Sequence, residues 1–312
     1  MSRQRNVLGV WLLLTAGCAL FQPPPEPLGS APLELTATPF FPQQDYLCGP
    51  AALATVLGAS GRDIHPDDLI GALYIPERQG SLQVELMAAA RRHGRLAIEL
   101  PGGLPAIVDQ LEAGRPVLVL QNLAIDLWPV WHYAVVIGYR PESDQFLLRS
   151  GRERRKVMGR NRFAATWERA GRWALLVLDP DAAPLGVPPR AYLQAAADLE
   201  NVGAYQPALR AFRSAASAWP EEVMAGLGVA NNLYYLGRHE AAMAAYRRLL
   251  ASHPGHDVAV HNLAMLLLEA GRPCEAQALM RRVDAEGPLL DTARRAVARA
   301  PIDDCGGAAT RP

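Results

Sequence analysis

Lysine is almost absent from this 312-residue chain. Of its 31 basic residues only Lys156 is a lysine, so a serine–lysine hydrolase would depend on that one residue. Net charge is missing as well, since 31 Lys and Arg balance 31 Asp and Glu. Nucleic-acid binders carry a basic excess, so no nucleic-acid partner is expected. The four cysteines, Cys18, Cys48, Cys274 and Cys305, share no CxxC spacing, which argues against a zinc site. No metal or organic cofactor is expected. No Gly-x-x-x-x-Gly-Lys-Ser/Thr run occurs, so no ATP-driven step is expected. What remains is a globular composition, 50% hydrophobic and 20% charged, with 26 Gly and 26 Pro. At roughly 150 residues per domain the length allows two domains with their own cores.

The first segment reads as an address. Arg3 and Arg5 precede an apolar stretch, Val7 to Leu14, which leads into Thr15-Ala16-Gly17-Cys18. That stretch is well short of the ~20 residues a membrane span needs. A charged start, a short apolar run and small residues define a secretory signal over 1–17. The cysteine after those small residues resembles a bacterial lipobox, which implies cleavage before Cys18 and lipidation of that residue. Ala19, not Asp, follows it, and by the lipoprotein sorting pattern this implies an outer-membrane lipoprotein facing the periplasm. Residues 18–35 hold Pro23, Pro24, Pro25 and Pro27 and read as a stiff tether. Export implies an oxidising compartment. A Cys274–Cys305 disulfide is expected there, pinning the tail 301–312 and leaving Cys48 unpaired.

The carboxy-terminal third repeats. Gly203, Gly237 and Gly271 stand 34 residues apart, as do Ala208, Ala242 and Ala276, and Pro220, Pro254 and Pro288. Leu199, Leu233 and Leu267 keep the same step, with Ala196, Ala230 and Ala264, and with Phe212, Tyr246 and Met280. Small residues let two helices cross closely, glycine ends the first helix in a left-handed turn, and proline opens the next unit. The pattern resembles tetratricopeptide repeats, and the period predicts an all-α solenoid over 191–300, after a linker at 183–190. Helices are expected at 190–202, 205–218, 221–236, 239–252, 255–270 and 273–285, with a capping helix at 289–300. The resemblance implies binding of a peptide or a partner protein; a purely structural stack is the alternative.

The middle of the chain, 36–182, reads as helices followed by strands, an α+β pattern. Helices are expected at 49–57, 66–73, 82–93 and 104–113, and strands at 96–100, 116–120, 132–139, 145–149 and 173–178. Cys48-Gly49-Pro50 opens the first helix, which places the thiol at the positive end of a helix dipole. That position is expected to lower the thiol pKa and favour a nucleophilic thiolate. His132, 84 residues later, heads the run His132-Tyr133-Ala134-Val135-Val136-Ile137-Gly138 and can act as the base. His65 and His93 lie in polar surroundings where exposure is expected, and the other four histidines fall in the repeats. The basic run Arg152, Arg154, Arg155, Lys156, Arg160 and Arg162 reads as a solvated hairpin edge. Trp128 and Trp131 read as core, with a place in a cleft wall as the alternative.

These segments together resemble the papain-like cysteine peptidases of family 39, the double-glycine leader peptidases of bacteriocin exporters. The resemblance implies a papain-like α+β fold, a peptide or protein substrate, Cys48 as nucleophile and His132 as base. It also implies Gln43, with Gln44 as fallback, as a donor to the oxyanion beside the Cys48 backbone N–H. The family's orienting Asp is replaced: Ser150 stands at its place at the end of the next strand. A neutral hydrogen-bonding group can still set the imidazole tautomer. Asp144, in a turn where it is expected to face water, and Asp126 rank below Ser150. Two other readings stay open: a degenerate peptidase fold acting as a lipoprotein scaffold, and a cell-wall hydrolase using the same Cys–His pair.

Overall fold

The computed structural model describes residues 28–43, 46–284 and 286–301. The segments read as signal, anchor and distal tail, including Cys18 and Cys305, lie outside the described residues, and so does Gln44. No helix among the described residues is long and apolar enough to cross a membrane.

A short strand β1 (Leu33–Glu34) leads to helix α1 (Cys48–Ala59), then α2 (Asp67–Leu73) and α3 (Gln83–Arg92). Strand β2 (Leu96–Glu99), α4 (Leu104–Glu112), β3 (Val117–Asn122) and the long β4 (Trp131–Arg140) follow. The domain ends with β5 (Gln145–Ser150), β6 (Glu153–Gly159), α5 (Arg160–Glu168) and β7 (Ala174–Leu178). The strands form one antiparallel sheet in the order β2-β7-β3-β4-β5-β6, and β1 pairs with the far end of β4. Helix α5 and strands β1 and β6 are additions to what the sequence predicted, and β1 falls in the 18–35 stretch read as a tether. The basic run falls partly on β6, whose side chains are largely exposed at the sheet edge.

Both faces of the sheet are covered. Helices α1, α2 and α3 pack on one face against Leu118, Tyr133, Val135, Ile137 and Leu175. The other face carries Val119, Ala134, Val136 and Leu148 under α4 and α5. Helix α1 has no polar side: every residue from Gly49 to Leu57 is buried. A helix apolar all round belongs inside a fold, and here it is the central support of the sheet. At Gly138 a side chain is impossible without movement, because a Cβ there would lie 2.3 Å from the carbonyl oxygen of Leu33 in β1.

The carboxy-terminal part consists of antiparallel helix pairs. These are α6 (Pro189–Asn201) with α7 (Tyr205–Ala218), α8 (Val223–Tyr235) with α9 (His239–Ser252), and α10 (Asp257–Glu269) with α11 (Pro273–Met280). Helix α12 (Pro288–Arg299) caps them. Helix α11 stops five residues before the predicted end at 285. Gly203, Gly237 and Gly271 have φ of +75°, +69° and +67°, the left-handed turn their spacing implied. Cys274 is disulfide-bonded, with its partner outside the described residues.

The first repeat is fused to the sheet. Leu96 and Ile98 of β2 and Leu176 and Leu178 of β7 share one buried cluster with Tyr192, Leu193 and Leu199 of α6. Arg91 bonds Asp198, and Arg95 pairs with Asp179 at 3.2 Å. The 183–190 segment is likewise held, since Gln110 Nε2 donates to the carbonyls of Leu185 and Gly186.

Candidate active site

Cys48 is the first residue of α1, and no side chain caps that end of the helix. Its backbone N–H and that of Gly49 remain unspent in the first turn, and Pro50 has none to offer. Both N–H groups are directed at the Cys48 sulfur, as is the N–H of Tyr133 in β4.

The third of these donors exists because a ladder stops. Strand β5 pairs with β4 only as far as Val135↔Arg149. Beyond that point the backbone of Tyr133 is released from β5. Its N–H turns to the thiol, and its carbonyl accepts from Gln43 Nε2 at 3.4 Å. Gln43 is itself clamped where β5 ends: its N–H donates to Gly151 O at 3.0 Å, and its Oε1 accepts from Gly151 N–H at 3.1 Å. At the same strand end His132 Nε2 lies 2.9 Å from Ser150 Oγ. Gln43, His132 and Ser150 thus share one strand end, and Cys48 meets it through the N–H of Tyr133. With Nε2 at Ser150, Nδ1 is the ring nitrogen that this contact leaves open. One of the two Gln43 amide hydrogens is used on Tyr133, which leaves one for a ligand.

Burial governs the electrostatics, and it corrects one expectation. The Cys48 thiol is pushed above its ordinary value by loss of solvent, and the three N–H groups only partly oppose this. His132 is pulled down to about 4, first by burial and then by the nearby Lys156 ammonium. The resting pair is therefore a neutral thiol and a neutral imidazole, not the thiolate anticipated from the helix dipole. The dipole is legible from sequence; the burial that outweighs it is not.

The thiol opens into a cleft of about 620 Å³ walled by Tyr46, Ser81, Leu82, Trp131 and Tyr133, with Arg78 as its one charged lining residue. Trp131 is 54% exposed and Trp128 is 70% exposed, so neither is core. Trp131 takes the alternative place in the cleft wall, and Trp128 lies outside it. The sequence reading missed the segment 78–83, which reaches the cleft through an isolated bridge between Ile75 and Gly80. It also missed Ser81, whose hydroxyl is buried without a partner among the described residues and would lie 2.4 Å from a Cβ at Gly49. No motif marks either feature.

The remaining candidates lie elsewhere. Asp144 does not simply face water: its Oδ1 accepts from Tyr139 O–H at 2.7 Å, and it pairs with Arg160 at 3.8 Å, at the opposite end of β5 from Ser150. Asp126 is exposed in the loop before Trp128. His65 is exposed beside Asp67, whereas His93 is half-buried. Among the described residues no three His, Cys, Asp or Glu side chains gather as metal ligands.

Residues 35–175 match the sequence model of the Peptidase_C39 like family. This region is a peptidase C39-like domain. Residues 233–300 match the tetratricopeptide repeat model, so the helical region carries such repeats. No curated protein matches the chain. Among solved structures, one described as a C39-like peptidase from Bacillus anthracis is 17% identical, covering 48% of this chain and 98% of its own, with a TM-score of 0.40. The peptidase domain of Streptococcus ComA, a bi-functional ABC transporter of a quorum-sensing pathway, is 20% identical. It covers 45% of this chain and 98% of its own, with a TM-score of 0.37. A tetratricopeptide repeat protein from Parabacteroides merdae is 17% identical, covering 44% and 50%, with a TM-score of 0.33.

Proposed function

We propose that the C39-like domain is a cysteine peptidase in which Cys48 attacks peptide bonds and His132 moves the protons. The observation that carries this reading is the gap at Tyr133. There the Cys48 sulfur meets the N–H of the residue after His132, while Ser150 holds the far nitrogen of that imidazole. Because the resting groups are neutral, attack and deprotonation are coupled. His132 Nδ1 takes the thiol proton as sulfur bonds to the carbonyl carbon. The oxyanion faces the Cys48 N–H and the spare amide hydrogen of Gln43. The C–N bond then breaks as the imidazolium protonates the leaving amine. Water, deprotonated by His132, cleaves the thioester, and the proton returns to sulfur.

Ser150 accepts the Nε2–H and fixes the tautomer, but as a neutral group it stabilises the imidazolium less than a carboxylate does. This is the observation in favour of the second reading, a fold that has kept the site and lost turnover, with the repeats acting as a scaffold. In either case the repeat region binds a substrate or a partner protein. Lipidation at Cys18, attachment to the outer membrane and a periplasmic orientation complete the proposal; the amino-terminal pattern supports them.

The test is cleavage of a diverse synthetic peptide library, read by mass spectrometry, with the wild-type chain and with Cys48→Ala and His132→Ala. Products that appear with the wild type and vanish with both variants support the peptidase. An inert wild type, or products that persist in Cys48→Ala, overturns it in favour of the scaffold.

A further inference from the structure

The repeats hold a second cavity, far in chemistry from the cleft at Cys48. It occupies about 190 Å³ between α8 and α10, with Tyr246 of α9 beneath it. Tyr234, Tyr235, Asn262, Met265 and Glu269 are among its walls. Small-molecule pockets run to roughly 300–1,000 Å³, so this one has room for the end of a side chain.

Its wall is aromatic, and its one charged lining residue is an acid. The Tyr235 ring is 51% exposed and stacks on Tyr205 with centroids 4.7 Å apart and an interplanar angle of 19°. The Tyr234 ring stands edge-on to Tyr235 at 5.7 Å, and its other neighbour is His239 at 5.4 Å. The floor is fixed: Tyr246 O–H donates to Asn231 Oδ1 at 2.7 Å, and Asn262 Nδ2 donates to the same oxygen at 3.2 Å. Glu269 accepts from Tyr234 O–H at 3.3 Å and makes no ion pair among the described residues. Its neighbours in the stack differ. Glu240 pairs with Arg272 at 3.1 Å, and Glu275 pairs with Arg272 at 2.6 Å and with Arg247 at 2.8 Å. Arg272 and Arg247 are thus spent on other carboxylates. The field of Glu269 also reaches the Tyr234 phenol, which it holds above its ordinary pKa.

We propose that this cavity is a binding site for a guanidinium group, the side chain of an arginine in a peptide bound along the repeats. A planar cation stacks on the exposed Tyr235 face, and its N–H fork meets the Glu269 carboxylate two-pronged. An ammonium satisfies the charge but not the planar stack, so arginine is preferred to lysine. An acidic peptide is repelled by Glu269. The site belongs to the repeat region alone and holds whether or not Cys48 is a nucleophile.

Met265 supplies the readout, because it is one of the residues that line the cavity. The full chain, labelled with 13C at its methionine methyls, is titrated with Nα-acetyl-arginine methylamide and with the neutral citrulline analogue. Met265 is assigned by Met265→Leu. The expected result is a saturable shift of the Met265 methyl resonance with the arginine compound, and at least tenfold weaker binding of the citrulline compound. Glu269→Gln, which keeps shape and removes charge, should weaken arginine binding by a similar factor. Equal binding of citrulline, unchanged affinity in Glu269→Gln, or no Met265 shift overturns the proposal. None of these readouts uses peptide cleavage, so the result is independent of the peptidase test.

Discussion

Ser150 Oγ lies 2.9 Å from Nε2 of His132, at the point where β5 stops pairing with β4. A serine thus makes the hydrogen bond that orients the proposed base. Removing it frees the ring to rotate and to change tautomer. Ser150→Ala is expected to lower kcat by roughly tenfold or more with little change in KM, since an orienting partner acts on proton transfer and not on substrate binding. Steady-state kinetics on a peptide found in the library screen measure this. Unchanged kcat would show that Ser150 does not position His132.

The His132 imidazole is held at about 4 by burial and by Lys156. Its ordinary value is 6.5. The base is therefore neutral and competent above pH ~4, and the acid limb of kcat/KM should fall near that value. An acid limb near 6.5 contradicts a buried His132. Lys156→Met removes the second cause and should move the limb upward, with burial still keeping it below 6.5.

The same shift has a stability consequence. The depressed folded pKa means that the unfolded chain binds a proton first as pH drops. The stability contributed by the neutral buried ring is fully present above 6.5 and is lost as pH falls from 6.5 to about 4. The shift corresponds to a loss of about 3 kcal/mol across that window. Denaturant unfolding of wild type and His132→Asn at pH 7 and pH 4 tests it, and the variant should lose less. Equal losses in both proteins contradict it.

Much of the solenoid was legible because its signal is geometric. Glycine, alanine and proline recur every 34 residues where turn, crossing and start require them, and the left-handed Gly203, Gly237 and Gly271 follow directly. The Cys-Gly-Pro and His-Tyr segments were legible for the same kind of reason, as a helix start and a strand start. Helix α5 was not. Arg160 and Arg162 masked the face formed by Phe163, Thr166 and Trp167, which is buried at i, i+3 and i+4. The thiol pKa was beyond reach because it depends on desolvation by distant segments. Trp128 and Trp131 were misjudged because exposed tryptophans are uncommon away from binding surfaces. The docking of α6 on the sheet was hidden because Leu96, Ile98, Leu176 and Leu178 look like any core strand residues.

That docking gives the two regions a shared buried core. Tyr192 is fully buried between them, and its hydroxyl donates to Pro180 O at 3.3 Å. Tyr192→Ala is expected to cost about 3–5 kcal/mol, the usual range for deleting a buried aromatic side chain. It should lower the unfolding temperature of the C39-like domain as well as that of the repeats. Loss confined to the repeats, seen by hydrogen exchange of β2 and β7, would contradict a shared core.

The central claim is that His132 activates Cys48, and alkylation kinetics test it most directly. Cys48 is the free thiol of the described residues, while Cys274 is bonded. The rate of Cys48 modification by iodoacetamide at pH 7 is followed by intact-mass spectrometry. It should drop at least tenfold in His132→Ala with the fold retained. A rate that is the same with and without the imidazole would contradict the account and leave Cys48 as a buried structural residue.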